Sequence, residues 1–344
     1  MSVVLSILGA IVVLGVLIVI HELGHFGMAR ALGLRVDEFA VGFGPKVLSK
    51  ERKGILYSLR AFPLGGFCRF HGEDEDKGED PTAFNAQKPW KRFLVILAGA
   101  VMNIAFAYIL ATVTLTAWGD YAATVESVEV GSPAENAGMH QGDIIVAVNG
   151  KTAAFDFAAL GEIQSADPET GVEIEVKRGD EYHTLRAKDL FDEAEGKNMI
   201  GIMINYEGRR AFTLGEALGT AWEFLVYSAK SLLNFFANIL RIPNLSDHIM
   251  GPVGTISVIG QAVRSGWESI FRLALYLSLN LGIFNLLPFP GLDGARLVFV
   301  LIEMIFKKPV PREKEGLIHL VGLGLLMVFV IYVTVGDVGR LIGG

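Results

Sequence analysis

The sequence predicts a polytopic α-helical membrane protein with four transmembrane helices, a re-entrant β-hairpin after the first of them, and one β-rich domain inserted between the second and the third. Three observations carry that prediction. The 344 residues are 51% hydrophobic with a mean hydropathy of +0.44, and the apolar residues fall in long blocks rather than short periodic segments. Four blocks reach the roughly 20 residues that a spanning helix needs. Between the second and third blocks, short β-prone runs alternate with Gly, Asn and Asp turns, as in a water-compatible domain. A formal net charge of -7 leaves no basic surface for nucleic acid, which is excluded as a partner. The single cysteine, Cys68, permits neither an internal disulfide nor a cysteine-based metal site.

The first span covers about 2–24. No lysine or arginine precedes it and no small-residue cleavage site follows it, so it reads as a retained helix rather than a signal peptide. After it, "FAVGFGPKVLS" and "ILYSLRAFPLGGFCRF" are β-prone and glycine-rich, the composition of a re-entrant hairpin over about 39–71. The neighbouring "HGEDEDKGEDP" reads as a solvated acidic loop. The second span covers about 93–118 and closes an N-terminal membrane part, 1–118. The β-rich domain occupies 119–208 and contains a short helix near 155–165. An amphipathic helix and interfacial segment fill 209–267. Glu216, Thr220, Glu223, Tyr227, Lys230, Asn234 and Asn238 draw a polar stripe at helical spacing there, and Glu223 and Lys230 are too expensive for the middle of a bilayer. The third span, about 268–288, and the fourth, about 317–335, form the C-terminal membrane part, 268–344.

Orientation follows from the basic residues beside the spans. The 26–92 segment carries Arg30, Arg35, Lys46, Lys50, Arg52, Lys53, Arg60, Arg69, Lys77, Lys88, Lys91 and Arg92, and "FKKPVPREKEG" adds four more between the last two spans. Both belong in the cytoplasm. Four spans satisfy both at once and put the β-rich domain outside, whereas a fifth span at "FTLGEALGTAWEFLVYSAKSLLNFFANILRI" would carry "KKPVPREK" to the wrong side.

The chemistry is written in "LIVIHELGHFGMARALG". His21 and His25 lie four apart, so a helix presents both imidazoles on one face and within reach of one zinc ion. Glu22, beside the first of them, has the place of the general base for a water attacking a peptide carbonyl. Ionisable residues in an apolar span are rare and usually functional. A catalytic zinc takes three protein ligands and one open position, so the third ligand lies elsewhere. In "LNLGIFNLLPFPGLDGARLVFVLIEMIF", Pro288, Pro290 and Gly291 interrupt the helix, and Asp293 follows. The residues alone leave two readings of Asp293 open: an N-cap for the helix that resumes at "GARLVFVL", or a metal ligand.

"HELGH" in the first span and "NLLPFPGLDG" in the third, together with "GSPAENAGMHQGDIIVAVNG" between spans, resemble the site-2 protease family of intramembrane zinc metalloproteases, in its bacterial PDZ-bearing group. "VGFGPKV", "KPWKRFLVILAGAVMN" and "GPVGTISVIGQA" resemble further recurrent blocks of that family. The resemblance implies that the inserted β-rich domain is one PDZ domain, and that zinc is bound by His21, His25 and Asp293 with Glu22 as the base. It implies regulated proteolysis, in a bacterial inner membrane, of single-span membrane proteins already shortened by an upstream trimming protease. Anti-sigma factors and remnant signal peptides are substrates of that class. The chain departs from the pattern at Ala100, where a proline is common, and at Ala295, where a glycine is common. Neither departure removes a ligand.

Hydrolysis needs water, so the helices must enclose a polar cavity toward the cytoplasmic end of the first span. Asn103 and Asn285 are amides in apolar segments that could line it and contact the substrate backbone. For Asn103 an interhelical hydrogen bond is the alternative. The competing function is a membrane-anchored PDZ scaffold with a vestigial zinc site. The intact Glu22 argues against that, because a structural metal site has no need of a base.

Overall fold

The computed structural model describes residues 2–73, 80–153, 155, 161–164, 166–192, 197–206, 208–241 and 249–343. In chain order its larger elements are α1 (Ser2–Ala31), β1 (Val36–Arg52), β2 (Ile55–Phe70), α2 (Pro89–Trp118), β3 (Ala123–Val128), β4 (Ile144–Val148), β5 (Val172–Arg178), β6 (Glu181–Ala187), β7 (Ile202–Asn205), α3 (Leu214–Asn238), α4 (Pro252–Ser265), α5 (Trp267–Leu286), α6 (Asp293–Phe306) and α7 (Arg312–Gly343). They divide into two compact units, Met1–Leu110 with Leu232–Gly344, and Ala111–Ser231.

Among the described residues, α1, α2, α5 and α7 are long and apolar enough to cross a membrane, and α3 is not. The polar stripe along α3 is the reason: its Glu223 carboxylate accepts a hydrogen bond from the backbone N–H of Thr152, and Thr220 is buried. The helix starts at a capping box, in which the N–H of Glu216 meets the hydroxyl of Thr213 while the Glu216 carboxylate accepts from the Thr213 N–H. The Thr213 N–H and hydroxyl, both donating to the Glu216 carboxylate, hold it below the ordinary carboxylate value.

In the first unit the segment read as interfacial also contains α4, which packs against α1 through small residues. A Cβ on Gly260 would lie 1.9 Å from the Ser6 hydroxyl, and one on Gly9 would lie 2.7 Å from Val263. The N-terminus of α4 would leave backbone donors without partners. Asp337 of α7 satisfies two of them, accepting from Gly251 N–H at 3.2 Å and Gly254 N–H at 2.7 Å. The third apolar helix stops at Leu286, and the chain resumes helical geometry only at Asp293 in α6. Ala100 is fully buried in an unbroken α2, and Ala295 is 5% exposed in α6.

β1 and β2 are each long enough to fold into two lanes. Residues 46–52 pair antiparallel with 55–60, and 36–41 pair antiparallel with 66–70, while Glu38, Phe39, Ala40 and Val41 also run in step beside Leu56, Tyr57, Ser58 and Leu59. The hairpin is therefore a four-lane sheet in the order 46–52, 55–60, 36–41, 66–70. The bend in β1 uses Gly42 and Gly44 at φ of +86° and +85°, a region that side chains resist. Phe39 packs edge-on against Phe26 at the end of α1, which seats the sheet against the first helix.

The second unit is a sheet in the order β7-β3-β4-β5-β6, with Lys151–Thr152 pairing beside β4. Alternation along β5 buries Val172, Ile174 and Val176 at 1% exposure or less. Burying each of these side chains contributes on the order of 1.5–3 kcal/mol. Asp143, fully buried beside the sheet, accepts a fork from Arg178 Nε and a second guanidinium nitrogen, both at 2.7 Å, and a third bond from the His140 N–H. Burial pushes the Asp143 carboxyl up, and those donors outweigh it and hold the group below its ordinary value. Of the expected short helix near 155–165, residues 161–164 are helical; 156–160 lie outside the described residues. So do residues 74–79 of the acidic loop.

Candidate active site

The site is assembled from α1, α2 and the start of α6. α1 continues well past its apolar run to Ala31, so the step from His21 to His25 is one turn of continuous helix. Their Nε2 atoms lie 3.1 Å apart. The two helices cross closely enough to leave no room for side chains between them. A Cβ on Gly24 would sit 2.3 Å from the Ala98 carbonyl oxygen, and one on Gly99 would sit 2.4 Å from His25 Nε2. The imidazoles thus lie against the backbone of α2.

Asp293 comes from 272 residues farther along the chain than His21. It is the first helical residue of α6 and Leu292 occupies the N-cap position, so the cap role left open by the sequence does not belong to Asp293. Its Oδ2 lies 3.1 Å from His21 Nε2 and 3.1 Å from His25 Nε2. A negative group at a helix N-terminus is favoured by the helix dipole.

These three atoms form the one His/Cys/Asp/Glu group among the described residues arranged to hold a metal ion. The residues fit zinc on two grounds. Ligands tetrahedrally disposed about zinc at roughly 2.0–2.1 Å stand about 3.3 Å from one another, close to the triangle seen here. Two imidazoles and a carboxylate also leave a fourth position open, which is the donor set of a catalytic rather than a structural site.

The next layer of contacts prepares the imidazoles. His25 donates its Nδ1–H to the carbonyl of Val95 at 2.8 Å, which leaves the Nε2 lone pair free for a metal. His21 Nδ1 lies 3.3 Å from the side-chain nitrogen of Asn103, and Asn103 Oδ1 is buried without a partner among the described residues. Turning that amide over lets Oδ1 accept from His21 Nδ1–H. It removes the orphaned oxygen and frees Nε2 at the same time. Asn103 has no exposed surface, and its own carbonyl accepts from Ser278 of α5. The structure places it behind His21 rather than on an open wall, while Asn285 is half-buried in the last turn of α5.

Glu22 is half-buried beside the triad and lies against the outer lane of the sheet, where a Cβ on Gly66 would be 3.3 Å from its Cγ. Sequence reasoning missed the Val95 carbonyl, Gly99 and the contact of Asn103 with His21. A signal was present: 95, 99 and 103 recur at four-residue steps and share one face of α2.

Two histidines and an aspartate converging within an apolar helical body define a membrane-embedded metalloprotein. Residues 9–329 match the profile of peptidase family M50. A Clostridium acetobutylicum protein named as a zinc metalloprotease is 32% identical, with 97% of each chain covered. The zinc metalloprotease RasP of Shouchella clausii is 30% identical over 98% of this chain and 99% of its own. The chloroplastic membrane metalloprotease ARASP of Arabidopsis thaliana is 31% identical over 94% and 78%. The solved PDZ domain of an SdrC-like protein from Listeria monocytogenes matches 25% of this chain and 87% of its own at 28% identity, with a TM-score of 0.22. The chain belongs to peptidase family M50, and it is a metalloprotease whose cofactor is zinc.

Proposed function

We propose that this protease cuts peptide bonds within or near the transmembrane segment of single-span membrane proteins, with His21, His25 and Asp293 as the zinc ligands and Glu22 as the general base. The observation that carries the reading is the 3.1 Å convergence of three donor atoms, two from the first apolar helix and one from the start of α6, beside the Glu22 carboxylate. When bound, zinc supplies a Lewis acid that polarises the scissile carbonyl and acidifies water. His25 and His21 are held in the metal-binding tautomer by Val95 and Asn103. Glu22 accepts the proton of the attacking water and passes it to the leaving nitrogen, so no covalent intermediate forms.

A substrate helix must be unwound before it is cut, because its carbonyls are already hydrogen-bonded. The outer lane at 66–70 has one edge paired with 36–41 and lies against Glu22 at Gly66. A substrate strand added at its other edge would run beside the base. This supports reading the sheet as a re-entrant element that holds substrate extended, although the exposed Val47, Leu48 and Phe62 also suit simple contact with lipid.

Localisation in a bacterial inner membrane, with the inserted domain outside and the site toward the cytoplasm, is supported by the placement of basic residues in 26–92 and 307–314. Reporter fusions test it. A fusion at Gly150 is expected to report the outside and one at Pro311 the cytoplasm; a cytoplasmic signal at Gly150 reverses the orientation.

The inserted β-rich domain, read as PDZ, is connected between the second and third spans. We favour a size filter over peptide recruitment, because single-span substrates already concentrate in the membrane. On that reading substrates are first trimmed by another protease, as anti-sigma factors and remnant signal peptides would be. With residues 121–205 replaced by a short linker, a substrate with a long external domain should be cut as readily as its trimmed form. Continued rejection of the long form excludes the filter, and loss of cleavage of the trimmed form indicates recruitment.

A further inference from the structure

The zinc site depends on a short turn before Asp293, and the turn is held from outside by a residue with no place in the chemistry above. Residues 289–292, Phe-Pro-Gly-Leu, close with a hydrogen bond from the Leu292 N–H to the Phe289 carbonyl at 3.1 Å. Gly291 has φ +100°. Proline second, glycine third at positive φ and a bond from the fourth residue to the first make the pattern of a type II turn. In such a turn the N–H of the third residue points away from the closing bond. Here the Gly291 N–H donates to His319 Nδ1 of α7 at 2.9 Å.

The same face of α7 is shaped to receive the turn. Gly322, three residues beyond His319, has no side chain, and a Cβ there would lie 2.2 Å from Pro290 Cβ and 2.4 Å from its carbonyl oxygen. The His319 ring packs edge-on to Phe299 of α6, with centroids 5.7 Å apart. It therefore touches both the turn before Asp293 and the helix that Asp293 begins. A backbone N–H can only donate, so Nδ1 is unprotonated and the neutral ring carries its proton on Nε2. That nitrogen is buried without a hydrogen-bond partner among the described residues, and the Glu315 carboxylate stands 3.9 Å away, beyond hydrogen-bonding distance. Leaving a buried donor unpaired is unfavourable, so the ring's position is set by its Nδ1 contact.

We infer that His319 is a positioning residue for zinc: through Nδ1 it anchors the Pro290–Gly291 turn to α7 and so fixes Asp293 at the distance from His21 and His25 that the ion needs. The inference rests on the reading of Asp293 as a ligand. Support from behind a ligand typically contributes 10–100-fold in metal affinity.

Asparagine and glutamine separate the two ring nitrogens, since the Asn carbonyl oxygen falls near the place of Nδ1 and the Gln oxygen near that of Nε2. The test is zinc affinity of the full-length, detergent-solubilised protein, read by competition with a chelating dye, alongside the melting temperature of the metal-free form. H319A and H319Q are expected to bind zinc about 10–100-fold more weakly, H319N within about threefold of wild type, and all metal-free forms should melt together. The proposal is overturned if H319A binds as wild type does, if H319Q restores affinity and H319N does not, or if neither does. It is also overturned if affinity merely follows the metal-free melting temperature. Should H319A fail to fold, the contrast between H319N and H319Q decides. D293A in the same titration keeps the two readings apart: wild-type affinity in D293A removes Asp293 from the ligand set whatever the His319 variants do.

Discussion

Glu22→Gln is expected to retain zinc at the wild-type level and to lower cleavage of a model single-span substrate by about 10²–10⁴-fold, the range that a positioned general base contributes. The amide keeps the shape of the side chain and its packing against Gly66, so the sheet and α1 should stay in register. It cannot take up a proton. Metal content of the purified variant and single-turnover cleavage check both halves. A variant that loses zinc with activity would make Glu22 part of the metal's coordination, and one that cuts at the wild-type rate would move the base elsewhere.

Removing a ligand should act in the opposite order. His21→Ala, His25→Ala and Asp293→Ala each open a second coordination position and are expected to reduce zinc affinity by more than the 10–100-fold that supporting residues contribute, with cleavage falling in proportion to bound metal. Asp293→Ala also leaves two imidazoles 3.1 Å apart with no counter-charge at the start of α6. Chelator competition on all four variants separates the roles. Equal zinc loss in Glu22→Gln and the three alanine variants would abolish the distinction between ligand and base.

Much of the fold follows from patterns short enough to read along the chain. Four apolar blocks appear as four candidate spanning helices, and the polar stripe through Glu223 keeps α3 out of that set. Other elements were harder to see. The helix α4 carries Pro252 at its first turn and Gly266 just past its end, which are ordinary helix boundaries, yet its glycines weaken the apolar periodicity. The hairpin appears in sequence as two β-prone runs, and its folding into four lanes depends on where Gly42 and Gly44 bend β1, which spacing does not disclose.

At the site the same division holds. His21, Glu22 and His25 are legible because one turn of helix brings them together whatever surrounds it. The third donor, Asp293, is legible only as a polar residue after a broken helix. Its approach to the histidines, the seating of His25 on Val95, the amide of Asn103 behind His21 and the grip of His319 on the Gly291 turn all join residues dozens to hundreds of positions apart. The membrane class, the pair of histidines one helical turn apart and the carboxylate beside them are legible along the chain, since helical periodicity and the solvation cost of charge in lipid act within a few residues. The approach of Asp293 to the two histidines is visible in the folded chain alone, because helix crossings such as Gly24 over Ala98 and Gly322 over Pro290 arise from close packing between distant segments, and no local spacing encodes their distances.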